Sequence, residues 1–451
     1  MYPMTDALSR LPCQTPALPL DGLRCVCITI GCKLNFAETA AVAERLAQLG
    51  MLTGHKGEVV DVCIVNTCAV TVEAERKCRQ AIHRLRRQYP RALMVVMGCY
   101  AQLQEKCPDT FPPDCLIIPN NRKGQAVDVI LERLGRSLPH PVSAETTAHF
   151  APACAHGNRT RWWLKVQDGC DYWCSYCTIP AARGVSRNPS IDSLVEQAEG
   201  AARAGAQEVV LTGVNIGDFG RSTGERFIDL LRKLDAVTGI ARYRISSIEP
   251  NLLTDEVIGF VAESRAFMPH FHVPLQAGSD AVLRLMHRRY DTAFFRSKME
   301  RIKEALPDAF IGVDVMAGMR GETDILFGQC FDFLSELPVS QLHVFPYSER
   351  PGTAALRIEH SVAPAEKHRR VSRLIALSEA KRRAFYRQFT GTLRPVLLEH
   401  APEGETPSGF TDNYLRVEIA CDPSRAGSIV EVRLGELNEA GDALRGEAVN
   451  E

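Results

Sequence analysis

A chain of 451 residues with 45% hydrophobic and 24% charged residues has the composition of an ordinary globular protein of roughly two to four domains, which excludes disordered and fibrous classes. The net charge of −1 supplies no overall attraction to nucleic acid or membrane, so any such footprint must be local. No apolar run reaches the ~18 residues of a membrane span, and MYPMTDALSRLPCQTP lacks the basic-then-apolar pattern of a secretory signal. The sixteen scattered cysteines are therefore expected in a reducing cytosol, some of them as metal ligands rather than as a disulfide scaffold.

From Arg24 the chain alternates apolar runs with amphipathic stretches. CVCITIGC (25–32), VVDVCIVNTC (59–68) and ALMVVMGC (92–99) read as strands, and a further run, CLIIPN, surrounds Ile117. Helices are expected from about Ala37 to Leu49 and from Thr71 to Gln88. This alternation implies βαβ units and a parallel sheet, with ligands at the carboxyl ends of its strands. Cys32, Cys68 and Cys99 each fall at such an end and are expected to converge on a second iron–sulfur cluster with one open iron. Cys25, Cys27 and Cys63 lie within strands and read as small buried hydrophobes. Cys13, Cys78, Cys107, Cys115, Cys154, Cys330 and Cys421 carry no spacing signal. The helix after Cys68 bears Arg76, Lys77, Arg79, Arg84, Arg86 and Arg87, with Arg91 just beyond. Such a stripe is either a solvated face or a phosphate-contacting one.

A Pro-, Ser- and Thr-rich stretch to Asn158 reads as a linker. Beyond it, six strand-like runs separated by helical segments (WWLKVQ, EVVLTG, YRISSIEP, FHVPLQ, FIGVDVM and QLHVFPY) suggest a partial (β/α)6 barrel whose site lies at the strand C-termini. Directly after the first run, GCDYWCSYC sets Cys170, Cys174 and Cys177 in C-x-x-x-C-x-x-C spacing. Three close thiolates can hold three irons of a [4Fe–4S] cubane and leave the fourth open to an external ligand. Zinc usually takes four ligands, and the nearest candidates, Cys154 and His156, fit no common zinc pattern. Later strand ends supply polar groups for an amino-acid-like cofactor: Gly213 and Asn215, Ser247 and Glu249, Gln276, and Asp314. A glycine at 213 would permit close backbone approach. Gly321-Glu322-Thr323 reads as a helix-entry turn.

Between Ser361 and Thr390 a long helix is expected with eight Lys/Arg against two Asp/Glu, its cations on or near an exposed side. After Gly391, short runs between turn residues suggest a small antiparallel β-barrel. That module holds five Arg and no Lys against twelve Asp/Glu, a poor footprint for phosphate.

Taken together, TIGCKLN, VNTCAVT, MGCYAQ, GCDYWCSYC, LTGVNIGDFG, RISSIEP and HVPLQAGSD resemble the radical S-adenosylmethionine (SAM) methylthiotransferases, from about Arg24 to the end. The resemblance implies an α/β fold in three parts. These are a Rossmann- or flavodoxin-like methylthiotransferase domain (22–140) with an auxiliary [4Fe–4S] cluster on Cys32, Cys68 and Cys99, a linker (141–158), a radical-SAM domain (159–390) with its cluster on Cys170, Cys174 and Cys177, and a TRAM-like barrel (391–451). It implies two SAM per turnover, one yielding a 5′-deoxyadenosyl radical and one a methyl group, with sulfur from the auxiliary cluster. Chemistry is carried by clusters and SAM, with no protein nucleophile. GCK-x-N, NTCAVT and TGVNIG are most similar to the branch that modifies carbon 2 of N6-threonylcarbamoyladenosine at position 37 of tRNA. An external electron donor and a sulfur carrier are implied, and no membrane. Two departures stand out: GMRGE (318–322) where the family usually has GFPGE, and the acidic barrel. The competing readings are the ribosomal-protein aspartate and isopentenyladenosine branches, and a non-catalytic iron–sulfur or zinc protein that binds RNA.

Overall fold

The computed structural model describes residues 18–54, 59–105, 110–136, 150–157, 159–401 and 406–449. Cys13, Cys107 and most of the expected linker lie outside the described residues.

In the first unit, β1 (Arg24–Thr29), β2 (Leu52–Thr53), β3 (Val62–Thr67), β4 (Leu93–Gly98) and β5 (Leu116–Ile118) pair in parallel in the order β2-β1-β3-β4-β5. The period-2 alternation of β3 explains its burial on both faces. Val62 and Ile64 pack with α1 (Lys33–Gln48) and α4 (Ala126–Arg133), while Cys63 and Val65 pack with α2 (Val72–Gln88). α2 begins where its sequence says it should: the Thr71 hydroxyl accepts from Ala74 N, and Glu73 and Glu75 occupy the positive end of the dipole. α1 begins at Lys33 rather than about Ala37, because Asn35 Nδ2 ties its first turn to the carbonyls of Ile30 and Thr67 at 3.0 Å each.

Gly98 turns β4 into the short helix α3 (Cys99–Leu103) at φ 105°. A Cβ there would meet Thr67 O at 2.4 Å and Asn66 Oδ1 at 2.5 Å. Gly98→Ala is therefore expected to destabilise the unit by about 2 kcal/mol, read as a lower urea midpoint.

In the central unit, β7 (Trp162–Lys165), β8 (Glu208–Thr212) and β9 (Arg242–Ile245) are parallel, as are β10 (His270–His272), β11 (Phe310–Ala317) and β12 (Gln341–Pro346). A parallel bridge between Ser247 and His272 joins the two sets into one open six-stranded arc. The expected (β/α)6 arrangement is present. It gains a short antiparallel edge strand, β6 (Cys154–Ala155), from residues that read as linker. Apolar residues such as Leu211, Ile245, Phe271 and Val313 pack into the main core, while the alternate positions carry Lys165, Glu208, Arg244, His272, Asp314 and His343.

The helix Pro364–Arg387 leads to β13 (Leu393–Leu398), β14 (Ser408–Thr411), β15 (Arg416–Ile419), β16 (Ile429–Leu437) and β17 (Leu444–Ala448). They close a barrel in the order β13-β14-β15-β17-β16. The expected antiparallel barrel needs one correction: β15 and β17 pair in parallel, because β16 intervenes in sequence but lies on the far side of β17. The barrel caps the arc at the start of its strands. Arg242 donates to the carbonyls of Pro395 (2.7 Å) and Phe410 (3.1 Å), and Arg244 to those of Thr411 (2.7 Å) and Asp412 (2.8 Å).

The long helix is also less of a cationic stripe than its sequence suggests. Arg370 is buried against Glu322, Asp324 and Glu366, and Lys381 caps the helix Asp324–Glu336 at the carbonyls of Ser335 and Leu337. GMRGE forms a tight turn in which Gly318 N donates to Glu322 Oε2 at 2.6 Å, and Thr323 caps the following helix, as a helix-entry turn should.

Candidate functional site

β1, β3 and β4 are neighbours in the sheet, so the residues leaving their carboxyl ends are brought together. Cys32 is the N-cap of α1, Cys68 directly follows β3, and Cys99 opens α3. Cys68 and Cys99 are buried, whereas Cys32 is exposed. Burial pushes the Cys68 thiol up to about 12 and raises that of Cys32, and the neighbouring cysteines of the triad push in the same direction. A fourth cysteine lies alongside: Cys68 N donates to Cys78 Sγ at 3.3 Å.

Cys170, Cys174 and Cys177 occupy the loop after β7 and are half-buried. Backbone N–H groups of Tyr172 and Ile179 donate to Cys170 Sγ and Cys177 Sγ, each at 3.4 Å. Arg288 Nη1 donates to Cys174 Sγ at 3.1 Å. Burial pushes the thiols of Cys170 and Cys177 up to about 12 and raises that of Cys174. The loop packs directly on the first triad's surroundings. Thr178 Oγ1 donates to Ala69 O at 3.5 Å, and Asn120 Nδ2 donates both to Ala182 O at 2.7 Å and to Cys99 Sγ at 3.5 Å.

Among the described residues, no group of three or more His, Cys, Asp or Glu is gathered around one ion position. A cubane spreads its thiolates over separate iron corners, a wider set than a single ion requires. The donor sets fit such a group: all six thiols are free, and N–H groups point at several sulfurs, which stabilises anionic sulfur.

The residues expected to hold an amino-acid-like cofactor line the same end of the arc, with differing commitments. Asn215 Nδ2 donates to Asp218 at 3.0 Å, but its buried Oδ1 has no partner, the arrangement of a group waiting for a donor. Glu249 forms an ion pair with Arg288. Burial raises its carboxyl against the opposing pull of that guanidinium. Asp314 accepts from His272 Nε2 at 2.6 Å, and the His272 ring lies 4.9 Å from that of His343. Burial first, then His272, pushes His343 down to about 4. Gln276 adopts φ 74°, held by its N–H to Asp314 O at 2.8 Å, and Ser247 sits on the bridge to His272. Gly213 also lacks room for a side chain within the fold: a Cβ would lie 2.8 Å from Ile216 Cγ2, 2.9 Å from Gln167 O and 3.0 Å from Gln167 Oε1. Gln167 is itself a hub, accepting from Val214 N and Asn215 N and donating to the carbonyls of Asp168 and Gly169.

Sequence reasoning missed Gln167, Arg288 and a buried charge group formed by Glu38, Lys123, Lys165, Asp168 and Arg183. The available signal was local: Glu38 shares the apolar face of α1 with Leu34 and Val42, and Lys165 falls at an inward position of a buried strand.

Two family descriptions match the chain: "Radical SAM superfamily" over residues 164–334 and "Uncharacterized protein family UPF0004" over residues 24–117. The chain is 36% identical to "Threonylcarbamoyladenosine tRNA methylthiotransferase MtaB" of Bacillus subtilis (strain 168), covering 90% of this chain and 92% of that protein. It is 32% identical to the protein of the same name from Aquifex aeolicus (strain VF5), over 86% and 95% of the two chains. It is 31% identical to "tRNA-2-methylthio-N(6)-dimethylallyladenosine synthase" of Geobacter metallireducens (strain ATCC 53774 / DSM 7210 / GS-15), over 90% and 94%. In fold it is similar to the radical S-adenosylmethionine methyltransferase TsrM from Kitasatospora setae, with TM-score 0.53 and 14% identity over 74% of this chain and 76% of that one.

Proposed function

The chain belongs to the radical-SAM methylthiotransferases, and we propose that it adds a methylthio group to carbon 2 of N6-threonylcarbamoyladenosine at position 37 of tRNA. The observation that carries the choice of nucleoside is the near full-length similarity to proteins named for threonylcarbamoyladenosine, together with GCKLN and VNTCAVT at the first triad. In this reading Cys32, Cys68 and Cys99 hold an auxiliary [4Fe–4S] cluster, and Cys170, Cys174 and Cys177 hold the one that binds SAM. Bound SAM and the clusters supply the radical, the sulfur and the methyl group that an unactivated C–H bond demands. The chain's own residues bind and orient. Tyr172 N, Ile179 N and Arg288 offer hydrogen bonds to the sulfurs of the second triad, and the unpartnered buried Asn215 Oδ1 would be an acceptor for bound SAM. Asp314 and Gln276, linked to each other through main-chain hydrogen bonding on β11, supply further polar groups on later strands.

The similarity to a dimethylallyladenosine-named protein supports a second reading, in which the same chemistry acts on isopentenyladenosine. Mass analysis of tRNA nucleosides from cells lacking the protein separates the two. Loss of 2-methylthio-N6-threonylcarbamoyladenosine is expected. Its persistence with loss of the isopentenyl counterpart would overturn the first choice.

Contact with tRNA is assigned to α2 in preference to the acidic barrel. Arg76, Lys77, His83, Arg84 and Arg87 line a groove of about 760 Å³ together with Ile28 of β1 and Ile30 just beyond it. Replacing Lys77, Arg84 and Arg87 together with Gln is expected to weaken tRNA binding. The slope of log affinity against log salt should fall by ~0.7–0.9 for each phosphate that the variant no longer neutralises, with iron content unchanged.

A further inference from the structure

The two triads come from different folding units, and a knot of charges holds one unit against the other. Glu38 of α1 receives Lys123 Nζ at 2.6 Å, Lys165 Nζ at 2.8 Å, and Arg183 at 3.1 and 3.2 Å. Asp168 receives Lys165 Nζ at 2.9 Å, Arg183 at 2.8 Å and Arg187 at 3.1 Å. Asp168 and Arg183 bracket the loop that carries Cys170, Cys174 and Cys177. Glu38, Asn35 and Lys123 belong to the unit that carries Cys32, Cys68 and Cys99. Arg183 Nη2 also donates to Asn35 Oδ1 at 2.6 Å, and Lys123 Nζ to Asn66 Oδ1 at 3.3 Å.

The knot does not balance. Lys123, Lys165 and Arg183 are three buried cations, and Glu38 and Asp168 are two buried carboxylates. Arg187, at the edge, adds a further cation. Each of these cations has a carboxylate partner, so the imbalance is one of net charge, and in a buried group such a surplus favours an anion nearby. The side chains placed to supply it are Cys99 and Cys32: Asn120, close to Lys123 in sequence, bridges Ala182 O, next to Arg183, to Cys99 Sγ, and Arg183 itself holds Asn35 in the helical turn that Cys32 caps.

We propose that this surplus positive charge is the built-in complement of an anionic iron–sulfur cluster held by Cys32, Cys68 and Cys99, with Arg183 as the positioning residue that ties that charge to the loop of the second triad. The proposal rests on the two-cluster reading above. A cation beside a cluster favours its more negative, one-electron-reduced form, so Arg183 and Lys123 set the cluster's potential as well as its retention.

The test uses the full chain with Cys170, Cys174 and Cys177 replaced by Ala, so that only the first triad can be loaded. Iron and sulfide content, the rate of iron release to a chelator, and the midpoint potential from a dithionite titration followed by electron paramagnetic resonance are measured. Arg183→Met and Lys123→Gln are each expected to move the potential negative and to speed iron release ~10–100-fold. Arg183→Lys restores the charge and returns the potential toward the parent, and Glu38→Gln moves it positive. A purely structural knot would alter unfolding midpoints without this ordered shift. If Arg183→Met fails to fold, Lys123→Gln and Glu38→Gln carry the test through their opposite signs. A loaded cluster whose potential and release rate ignore residues 38, 123 and 183 overturns this proposal alone. Failure of the unmodified knot to support any cluster at the first triad overturns the two-cluster reading and this proposal with it.

Discussion

Replacing Cys68 with alanine is expected to abolish methylthio transfer, by at least ~100-fold, while SAM cleavage to 5′-deoxyadenosine persists. Replacing Cys174 with alanine is expected to abolish both. The asymmetry follows from where the two residues sit. Cys68 leaves β3 in the first parallel sheet, where the neighbouring strands β1 and β4 lead to Cys32 and Cys99. Cys174 lies within the loop after β7 and receives a hydrogen bond from Arg288, which also pairs with Glu249 and donates to Tyr290. Loss of one thiolate should leave the remaining cluster intact, so iron content after reconstitution is expected to fall from about eight atoms per chain to about four in either variant. Equal loss of SAM cleavage in both variants would sink the division of labour between the triads.

Glu208→Ala is expected to destabilise the joint between the arc and the C-terminal barrel by about 3–5 kcal/mol. Glu208 is fully buried and receives Arg244 Nε at 2.9 Å, with Arg242 at 3.8 Å, so its removal strands two guanidinium groups that face the barrel. Burial by itself would raise the Glu208 carboxyl, but Arg244, then Arg161 and Arg242, outweigh it and hold the group below the usual carboxylate value. A carboxyl depressed in the folded state stabilises at pH above its unfolded value of 4.5 and loses that contribution as pH falls through the folded value. The variant should therefore lose less stability than the parent on acidification below about pH 4.5. Urea midpoints at neutral and acidic pH, with hydrogen exchange across Thr411–Tyr414, measure both effects.

The parallel sheet, the six-stranded arc and the placement of both cysteine triads were legible because each rests on a local pattern. Apolar runs of strand length end in a cysteine, or a C-x-x-x-C-x-x-C loop directly follows a strand. The polar contacts behind them were not. Arg288 reaches Cys174 and Glu249 across segments far apart in sequence, and the charge knot gathers single residues from several segments, each a lone polar group on an otherwise apolar face. The packing of Gly213 against Gln167 and Ile216 was likewise invisible in the sequence. The long helix misled for a related reason: counting cations does not reveal which of them, like Arg370, are spent inside the fold.

The grip that Arg242 and Arg244 exert on the barrel is made to main-chain oxygens of Pro395, Phe410, Thr411 and Asp412. Every residue type carries such an oxygen. Side chains on those two segments can therefore be exchanged without loosening the grip, provided the backbone path is kept. These four bonds hold whatever side chains those positions carry, so substitutions there act on the joint only through its side-chain contacts, such as Arg161 with Glu399 and Asn413 with the Asp308 carbonyl.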